Sequence, residues 1–491
     1  MLKNALHFLR NHALIITLLV VPLLSAVLHW RVFSTELVGA HAWRQVQTQV
    51  VVVNFYEEDF NILHPRVDSR GSHDGILRRE FPIMQWLFAC VYKVLGNQLL
   101  ITRILSFVIG ICTLAGMYFF VKNLFKDRLA AVVGAWALCF SPAFFYYTMN
   151  PLPDNFALCC AVWGTAFFFR WHTRRKFSDL LWTGLFLSLA TLSKLPFVIY
   201  CCAPFLCFLI EFLKKKEAAV FAGRTLTMAL LLAPAAAWYA WVVPDWSGTG
   251  IVTGMLENNT PLSVILKYLW GNLISVLPEM LLNYASLPFF LAGFYFLFAR
   301  KLYRDERFVL LAAVGVAALA YFLFEINMIA LAHDYYLFPF MPLLFILVSY
   351  GALQWLTGQN VFLTRLAVFL LLLAPVTAYL RTQKSWNTDS PGFNRDLLTY
   401  KKELREAVPP DALCVAGNDV SRHIFLYYID KKGWAFDSDQ VDRGYLEYMI
   451  GEGAQYLYSD TRRVDERADF RPLLDSLILE KGSIRVFRLR K

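Results

Sequence analysis

Charged residues are scarce in this 491-residue chain, where Lys, Arg, Asp and Glu together make up 17% of the sequence. Ordinary soluble domains contain about 25%. The scarcity is uneven, because 37 of the 84 charged residues follow residue 380. Hydrophobic residues make up 58% of the chain. The composition excludes a uniformly soluble fold and predicts two environments, lipid up to about residue 380 and water after it.

Patterns that bind nucleotides or nucleic acid are also missing. The chain has no P-loop and no G-x-G-x-x-G, so a nucleotide-sugar donor is not expected. The net charge of +10 does not indicate nucleic acid, because the basic excess lies in short loops between apolar segments, where it reports membrane topology. We therefore expect no nucleic-acid partner.

The nine cysteines do not form a disulfide or zinc pattern. Eight lie in apolar segments, and only Cys414 lies in the C-terminal tail, which therefore cannot form an internal disulfide. No C-x-x-C or zinc-type spacing occurs. The cysteines are interpreted as small packing residues.

Long apolar segments predict an α-helical polytopic membrane protein. A spanning helix needs about 20 apolar residues. The basic N-terminus leads into the first segment without a small-residue cleavage site, which predicts an uncleaved signal anchor. Eleven spans are predicted, near residues 13–31, 101–121, 129–149, 155–170, 180–193, 196–213, 225–243, 286–299, 308–326, 335–356 and 363–380.

Basic clusters in the short loops predict the orientation of these spans. With the N-terminus inside, the clusters at 122–128, 170–176, 214–216 and 300–307 all fall on the cytoplasmic side. The apolar residues 81–97 are excluded as a span, because counting them would invert this pattern, and are predicted to form an interfacial or re-entrant helix. The outer face then contains the first loop (34–100), the turns 150–155, 193–196 and 327–334, the loop 244–285 and the tail 381–491.

The start of the first loop predicts a helix with one polar stripe. His41, Arg44, Gln45 and Thr48 follow helical spacing. A linker needs no such density of polar and aromatic residues, which favours a binding role. The alternative is an interfacial helix with a snorkelling Arg and a belt Trp.

Further along the first loop, carboxylates and arginines alternate. Arg gives bidentate contacts to phosphate and a carboxylate can act as a base, so this pattern suits an anionic lipid headgroup. The alternatives are a solvated loop, or a divalent metal site at His64, His73 and Asp74, whose spacing matches no strong ligand pattern. The group comprises Glu57, Glu58, Asp59, His64, Arg66, Asp68, Arg70, His73, Asp74, Arg78, Arg79 and Glu80.

Three short turns between spans carry further candidates. Asp154 is either a helix N-cap or a functional carboxylate. Lys194 lies where two short helices meet, and an ionisable residue there indicates function unless it snorkels. His333-Asp334-Tyr335-Tyr336 opens a later span, where a simple aromatic belt would not require a His-Asp pair.

Together these residues resemble the GT-C superfamily of polyprenyl-phosphate-sugar glycosyltransferases, and within it bacterial lipid A aminoarabinose transferases and protein O-mannosyltransferases. The resemblance covers the membrane part in order. It rests on the large first loop, Glu80-Phe81-Pro82, Asp154, the Leu-Ser-Lys-Leu-Pro turn and the His-x-Tyr-Tyr-Leu-x-Pro start of a late helix.

The resemblance implies a fold of roughly 11 to 13 transmembrane helices and a polyprenyl-phosphate sugar donor. It also implies an early carboxylate as the base of an inverting transfer, with basic residues holding the leaving phosphate. Relatives have an Asp-Glu pair where this chain has Ala40-His41. Either His41 is the base, or a carboxylate such as Asp68, Glu80 or Asp154 takes that role.

A second departure concerns the phosphate-binding charges. Relatives often have a Lys after the glutamate where this chain has Phe81, so Arg78 or Arg79 would supply that charge. Sugar transfer needs a base for the acceptor hydroxyl and positive charge for the departing phosphate. The predicted donor-binding residues are Arg44, Gln45, Arg66, Arg70, Arg78, Arg79, Lys194, His333, Tyr335 and Tyr336.

The tail is predicted to be a small α/β domain on the outer face, with helices at 397–407, 421–428 and 445–451 and strands at 413–416, 455–459 and 483–489. The Gly417–Ser421 loop follows a strand, a position where open sheets bind ligands. Residues 1–380 then form the catalytic membrane domain and 381–491 the extracytoplasmic domain.

The predicted protein is a glycosyltransferase of a bacterial inner membrane with a glycan, lipid or protein acceptor. Its active site is predicted to lie on the extracytoplasmic side, and no cofactor is certain beyond a possible divalent metal. A transporter or flippase would require charges within the spans and paired halves. A polysaccharide polymerase or ligase is the third hypothesis.

Overall fold

The computed structural model describes residues 2–246, 254, 260–330 and 333–490. Parts of two predicted outer segments, residues 247–253 and 255–259 of one and 331–332 of the other, lie outside the described residues. The chain divides into two compact units. The helical unit comprises Met1–Phe33, Arg79–Phe81 and Arg103–Thr382, and the α/β unit comprises Ser34–Arg78, Pro82–Thr102 and Gln383–Lys491.

Apolar helices make up the helical unit, as the sequence predicts. Internal prolines lie at positions 22, 234, 278 and 375. The helices are Leu2–Asn11, Ala13–Leu28, Leu99–Phe125, Arg128–Cys139, Pro142–Tyr147, Pro153–Arg174, Phe177–Ser193, Cys202–Lys215, Ala218–Val242, Leu262–Leu281, Leu287–Ala299, Glu306–Phe324, Ile326–Ile329, Met341–Thr357 and Val361–Thr382.

Seven helices within the described residues are long and apolar enough to cross a membrane, and five shorter helices are also apolar. The polytopic helical fold is therefore confirmed. One of the seven, Leu262–Leu281, lies where the sequence predicts a loop, and that prediction is wrong. Its polar residues Lys267, Asn272 and Glu279 interrupt the apolar run that marks a span in the sequence.

The α/β unit contains one five-stranded sheet of order β2-β1-β3-β5-β4. Its central strand β1 runs parallel to β2 and β3, whereas β5 is antiparallel to β3 and β4. The predicted small α/β fold is confirmed. The strands are β1 (Leu413–Gly417), β2 (Lys432–Ala435), β3 (Tyr456–Ser459), β4 (Leu474–Lys481) and β5 (Ile484–Leu489).

The helices of the tail follow the predicted order with altered ends. The predicted helix 397–407 is split at Tyr400 into Asp396–Thr399 and Lys401–Glu406. The other two helices are Ile424–Ile429 and Arg443–Gly451. The late start at Ile424 follows from Asp419, whose carboxylate accepts the backbone N–H groups of Ser421 and Phe425 and so fixes the preceding loop.

Two helices of the first loop also belong to the α/β unit. Ala42–Glu57 inserts Val46 and Val50 into a buried cluster that contains Phe425 and Tyr428 of the tail. Ile83–Leu95, in the predicted interfacial segment, is tied to the first helix by the Gln49 amide, which donates to the Tyr92 hydroxyl at 2.9 Å. The first loop therefore folds together with the tail.

Candidate active site

A buried ion pair lies in the helical unit between Asp154 and Lys194. Lys194 Nζ is 3.7 Å from Asp154 Oδ1, and the Asp154 side chain is only 2% exposed. Leu152 is the N-cap of helix Pro153–Arg174 and Asp154 lies in its first turn, so Asp154 is not the N-cap. The positive end of the helix dipole favours a carboxylate at this position.

Lys194 stands between two helical segments and faces an aromatic group. Its extended backbone separates helix Phe177–Ser193 from the 3₁₀ helix Leu195–Cys201. Its ammonium lies 4.9 Å from the ring centre of Tyr336, a cation–π arrangement that suits a partly desolvated cation. The sequence pattern of two short helices meeting at a polar residue predicted this location.

The His333–Tyr336 segment forms an aromatic cluster beside the ion pair. Tyr336 stacks on Tyr335 with ring centres 4.9 Å apart, and the His333 ring lies 5.7 Å from that of Tyr336. The Tyr147 hydroxyl donates to Asp334 Oδ1 at 2.6 Å. This bond fixes the start of the segment against the turn that precedes Asp154.

Glu80 belongs to the same unit, in the short segment Arg79–Phe81. The Phe81 N–H donates to the Leu192 carbonyl and the Trp238 indole N–H donates to the Arg79 carbonyl, both at 2.9 Å. Glu80 and Asp154 both lie close enough to act electrostatically on the Tyr239 hydroxyl. The structure thus brings Glu80, Asp154, Lys194, His333, Tyr335 and Tyr336 together in the helical unit.

Arg103 is a polar residue of this region that the sequence interpretation missed. It is fully buried and donates to the Met149 carbonyl at 2.7 Å and to the Asn150 side chain. Asn155 adds bonds to the Tyr147 and Asn150 carbonyls. The turn that carries Asp154 is therefore fixed from both sides. An arginine within the predicted span 101–121 was the available signal.

The remaining predicted residues of the first helix lie in the α/β unit. His41 precedes helix Ala42–Glu57 with a left-handed backbone (φ 52°) and makes no side-chain cap. Arg44 is buried and donates to Gln47, whose amide pairs with His423 at 3.1 Å. Gln45 donates to the Ala40 carbonyl. The predicted polar stripe is therefore largely buried against the tail.

Glu58, at the end of this helix, pairs with several basic residues. Arg70 makes a bidentate pair with Glu58 at 2.8 Å for each bond, and Arg66 approaches it at 3.5 Å. Lys432 of β2 pairs with the same carboxylate. Arg78 donates to the Leu63 carbonyl at 3.0 Å.

Asp68 is the candidate carboxylate of the α/β unit. It accepts a hydrogen bond from the Asn54 amide at 3.0 Å. Burial raises the pKa of the Asp68 carboxyl to about 7, although Asn54 and the charge of Arg70 oppose the shift. A carboxyl with this pKa exchanges protons near neutral pH.

The weak metal candidates of the first loop do not form one ligand group within the described residues. His64 bonds to Asp59 at 2.7 Å, which holds the pKa of Asp59 below its usual value. Asp74 accepts the Ile76 N–H. Among the described residues, three possible metal ligands lie close together only at His172, Cys207 and Glu306. There Lys214 also pairs with Glu306, at 2.8 Å.

Comparisons with known proteins give one family match and several matching structures. A family described as dolichyl-phosphate-mannose-protein mannosyltransferase matches residues 79–241. No curated protein matches the chain with significance. The matched range contains Glu80, Asp154 and Lys194.

The matching structures share the fold at low sequence identity. ArnT from Cupriavidus metallidurans in the apo state is 12% identical, with a TM-score of 0.63 over 95% of this chain and 97% of ArnT. Its complex with undecaprenyl phosphate gives 0.61 over 96% and 97%, at 12% identity. The Archaeoglobus fulgidus oligosaccharyltransferase with Zn and sulfate is 16% identical, with a TM-score of 0.59 over 91% and 68%. The chain has the fold of the GT-C glycosyltransferases, and its predicted resemblance to that superfamily is confirmed.

Proposed function

We propose that the protein is a membrane glycosyltransferase that moves a sugar from a polyprenyl-phosphate donor to a hydroxyl group of a glycan, lipid or protein acceptor. The observation that carries the proposal is the cluster of Glu80, Lys194 and the His333–Tyr336 segment around the buried Asp154 carboxylate within a GT-C fold. ArnT, which has this fold, has been solved with undecaprenyl phosphate bound. The membrane location and the apolar helices fit a lipid-linked donor.

The proposed reaction inverts the anomeric carbon. The acceptor hydroxyl oxygen attacks that carbon and forms the new glycosidic bond, while the bond to the phosphate oxygen breaks and polyprenyl phosphate departs. The hydroxyl proton passes to a base on the protein. Negative charge develops on the leaving phosphate, so the step needs a fixed positive charge beside it.

Lys194 is proposed to bind the departing phosphate. Its ammonium is held by Asp154 on one side and the Tyr336 ring on another, so little reorganisation is needed when the phosphate becomes more negative. Asp154 then positions Lys194.

The base is proposed to be a carboxylate of the same cluster, Glu80 or Asp154, with His41 and Asp68 as the alternatives in the α/β unit. Glu80 is favoured because it shares the surroundings of Tyr239 with Asp154, which places a second carboxylate beside the ion pair of Asp154 and Lys194. The pH dependence distinguishes an unperturbed carboxylate from His41 and from Asp68, whose pKa is raised to about 7 by burial. An imidazole base loses activity below about pH 6.5, whereas an unperturbed carboxylate retains it to about pH 4.3.

The proposed location is a bacterial inner membrane, with the active site and the tail on the extracytoplasmic side. The basic loop clusters support this orientation. A divalent metal is a further proposal, supported only by the Zn in the archaeal oligosaccharyltransferase structure. Activity that survives chelation by EDTA would contradict it.

The test is transfer of labelled sugar from a polyprenyl-phosphate donor in membranes. Asp154→Asn and Lys194→Ala should lose transfer at unchanged protein abundance. Asp179→Asn is the matched control, because Asp179 forms another ion pair, with Arg170 at 2.6 Å. Asp179 lies in the first turn of helix Phe177–Ser193, at the opposite end from Lys194. Equal losses in all three variants, or full activity in the first two, would remove the basis of the proposal.

A further inference from the structure

The helical unit brings together an imidazole, a thiol and a carboxylate that the proposed function does not use. The imidazole lies in the last turn of a 22-residue helix that carries Asp154 in its first turn, so the two sites are about 27 Å apart along this helix. The three side chains come from three different helices. They are His172 of helix Pro153–Arg174, Cys207 of helix Cys202–Lys215 and Glu306 of helix Glu306–Phe324.

The ligand atoms of these side chains are close enough to share one ion. His172 Nε2, Cys207 Sγ and a Glu306 carboxylate oxygen all lie within 4.8 Å of one another, and His172 Nε2 is 3.2 Å from Glu306 Oε1. The corners of an equilateral triangle with 4.8 Å sides lie about 2.8 Å from its centre, and shorter sides bring them nearer. Zinc binds sulfur at about 2.3 Å and nitrogen or oxygen at about 2.0 to 2.2 Å. Side-chain shifts below about 1 Å therefore complete the site.

The chemistry of the three ligands selects the class of metal. Thiolate and imidazole favour zinc, whereas magnesium and calcium prefer ligands that are all oxygen. The Cys207 thiol donates to Glu211 Oε1 at 3.7 Å. When a metal–sulfur bond replaces the S–H bond, the proton therefore has an acceptor from which it passes to water. Glu211 itself stays outside the metal site, because Arg175 and Arg224 each pair with its carboxylate at 2.5 Å.

One cation competes with a metal for Glu306. Lys214 Nζ pairs with Oε2 of Glu306 at 2.8 Å, whereas the contact with His172 is made by Oε1. The Lys214 side chain is 64% exposed, and an exposed ion pair contributes little free energy, so the lysine can turn into solvent. Cys207 is buried, and His172 and Glu306 are partly exposed. The cluster thus combines a buried anchor with access from solvent.

We propose that His172, Cys207 and Glu306 bind one zinc ion, with a water molecule as the fourth ligand, and that this ion fastens three helices of the helical unit together. Four ligands with tetrahedral geometry are what zinc prefers. The ion stabilises the folded protein because it binds this state and not the unfolded chain. In the proposed orientation these helix ends face the cytoplasm, where thiols remain reduced and available to a metal.

Zinc binding to the full-length, untagged protein in detergent tests the proposal without a transfer assay. After removal of metals, a zinc titration in competition with a chromophoric chelator should show one bound ion. Cobalt(II) in place of zinc should give thiolate-to-cobalt charge-transfer absorption in the near ultraviolet, because the thiolate is a direct ligand. Zinc should also raise the unfolding temperature of the parent protein.

Three variants and one control connect the metal to the cluster. Cys207→Ser should abolish the charge-transfer absorption, and His172→Gln and Glu306→Gln should each weaken zinc binding at least about tenfold. The last two change partly exposed side chains, so they keep the test valid if Cys207→Ser fails to fold. Cys202→Ser is the control, because it removes another thiol of the same helix that does not belong to the cluster. It should bind zinc and cobalt as the parent does.

Three results would overturn the proposal. Zinc affinity that is the same in the parent, His172→Gln and Glu306→Gln would place any bound ion elsewhere. Charge-transfer absorption that persists in Cys207→Ser, or that is lost in Cys202→Ser, would exclude Cys207 as the ligand. Lys214→Met should bind zinc at least as tightly as the parent, since it removes the competing cation. A loss as large as that in Glu306→Gln would instead show that the cluster is only a network of ion pairs.

Discussion

At the scale of single residues, Lys194 combines a buried counter-ion with an aromatic neighbour. Replacing it by Ala removes the fixed charge proposed for the leaving phosphate, and loss of one such group typically costs about 100- to 1000-fold in rate. We expect Lys194→Ala to lower kcat by about this factor. Lys194→Arg should retain part of the activity, since Arg keeps the charge but changes its geometry. Single-turnover transfer from saturating donor is the measurement.

The contrary result for Lys194 is specific. A Lys194→Ala protein with normal kcat and a raised KM would mean that the ammonium binds the donor equally in the ground and transition states. A protein with normal kcat and KM would mean that the ion pair with Asp154 is structural.

Asp68 makes a prediction about stability and pH. Its pKa is about 3.9 in an unfolded chain, and burial raises it to about 7 in the folded protein. Between these values the folded protein holds a proton that the unfolded chain has released, so the stability falls as the pH rises from about 4 to about 7 and then stays level. The change is at most about 4 kcal/mol, and partial solvent contact reduces it.

Asp68→Asn should remove this pH dependence. Without ligand, the variant should unfold at a higher temperature than the parent at pH 8 and at nearly the same temperature near pH 4. Thermal unfolding of the purified protein in detergent, followed across this pH range, is the measurement. A variant less stable than the parent at pH 8 would contradict the raised pKa and would indicate that the ionised Asp68 is stabilised by its neighbours.

At the scale of elements, the turn between Tyr147 and Asn155 depends on Arg103. Removing a buried donor leaves the Met149 carbonyl and the Asn150 side chain unsatisfied, and each unsatisfied buried acceptor costs about 1 to 3 kcal/mol. We expect Arg103→Met to lower the unfolding temperature and to reduce transfer, because the turn carries Asp154. Arg103→Lys should restore part of both. Lys93→Met, a change of charge on an exposed residue of helix Ile83–Leu95, is the control.

A loss of activity without a loss of stability in Arg103→Met would contradict this assignment in part. It would indicate that Arg103 contacts substrate directly, and the Lys variant would then fail to restore activity. Normal stability and normal activity together would mean that the turn is held by Asn155 and Tyr147 alone.

The elements show what local sequence could predict. The polar turns at Asp154, Lys194 and His333 stand out because the apolar spans on either side define where a turn must fall. Strand β2 was missed because its Lys-Gly-Trp-Ala sequence has neither alternation nor β-branched residues. Strand β4 was missed because it is largely exposed, so burial leaves little pattern in its sequence.

Contacts between distant segments could not be predicted in the same way. The pairing of Tyr147 with Asp334 joins residues 187 positions apart, and nothing local in either segment indicates the other. The polar stripe of the first helix was identified, but its burial was not. It depends on the tail, where His423 meets Gln47. Spacing indicates that residues share a face, and only the fold determines what covers that face.

At the scale of the whole molecule, the helical unit gathers its basic loop clusters in one region. Arg10 pairs with Asp127 at 2.9 Å, and Lys126 donates to Thr173 at 3.4 Å. Glu306 meets both His172, at 3.2 Å, and Lys214, at 2.8 Å. These contacts join helix ends that carry the basic clusters. Such contacts are expected if every cluster lies on one side of a membrane. The Asp154, Lys194 and His333 turns form the other group.

This grouping makes the membrane orientation testable by labelling. Lys215 belongs to the basic group and is exposed, and Asp439 is an exposed residue of the tail. We expect a cysteine at Asp439 to react with a membrane-impermeant maleimide in intact cells, and a cysteine at Lys215 to react only after permeabilisation. The parent background needs Cys112 replaced, because it is the one exposed cysteine among the described residues. The labelling pattern is expected because moving a basic cluster across the membrane opposes the positive-inside preference.

The opposite labelling pattern would reverse the whole proposal. The Asp154 and Lys194 cluster would then face the cytoplasm with the tail, where soluble nucleotide sugars are available and a lipid-linked donor would no longer be required. Labelling of both positions in intact cells would instead separate the basic clusters from the cytoplasm and contradict the charge argument itself. Because the two cysteines test opposite sides of one bilayer in the same cells, each serves as the control for the other.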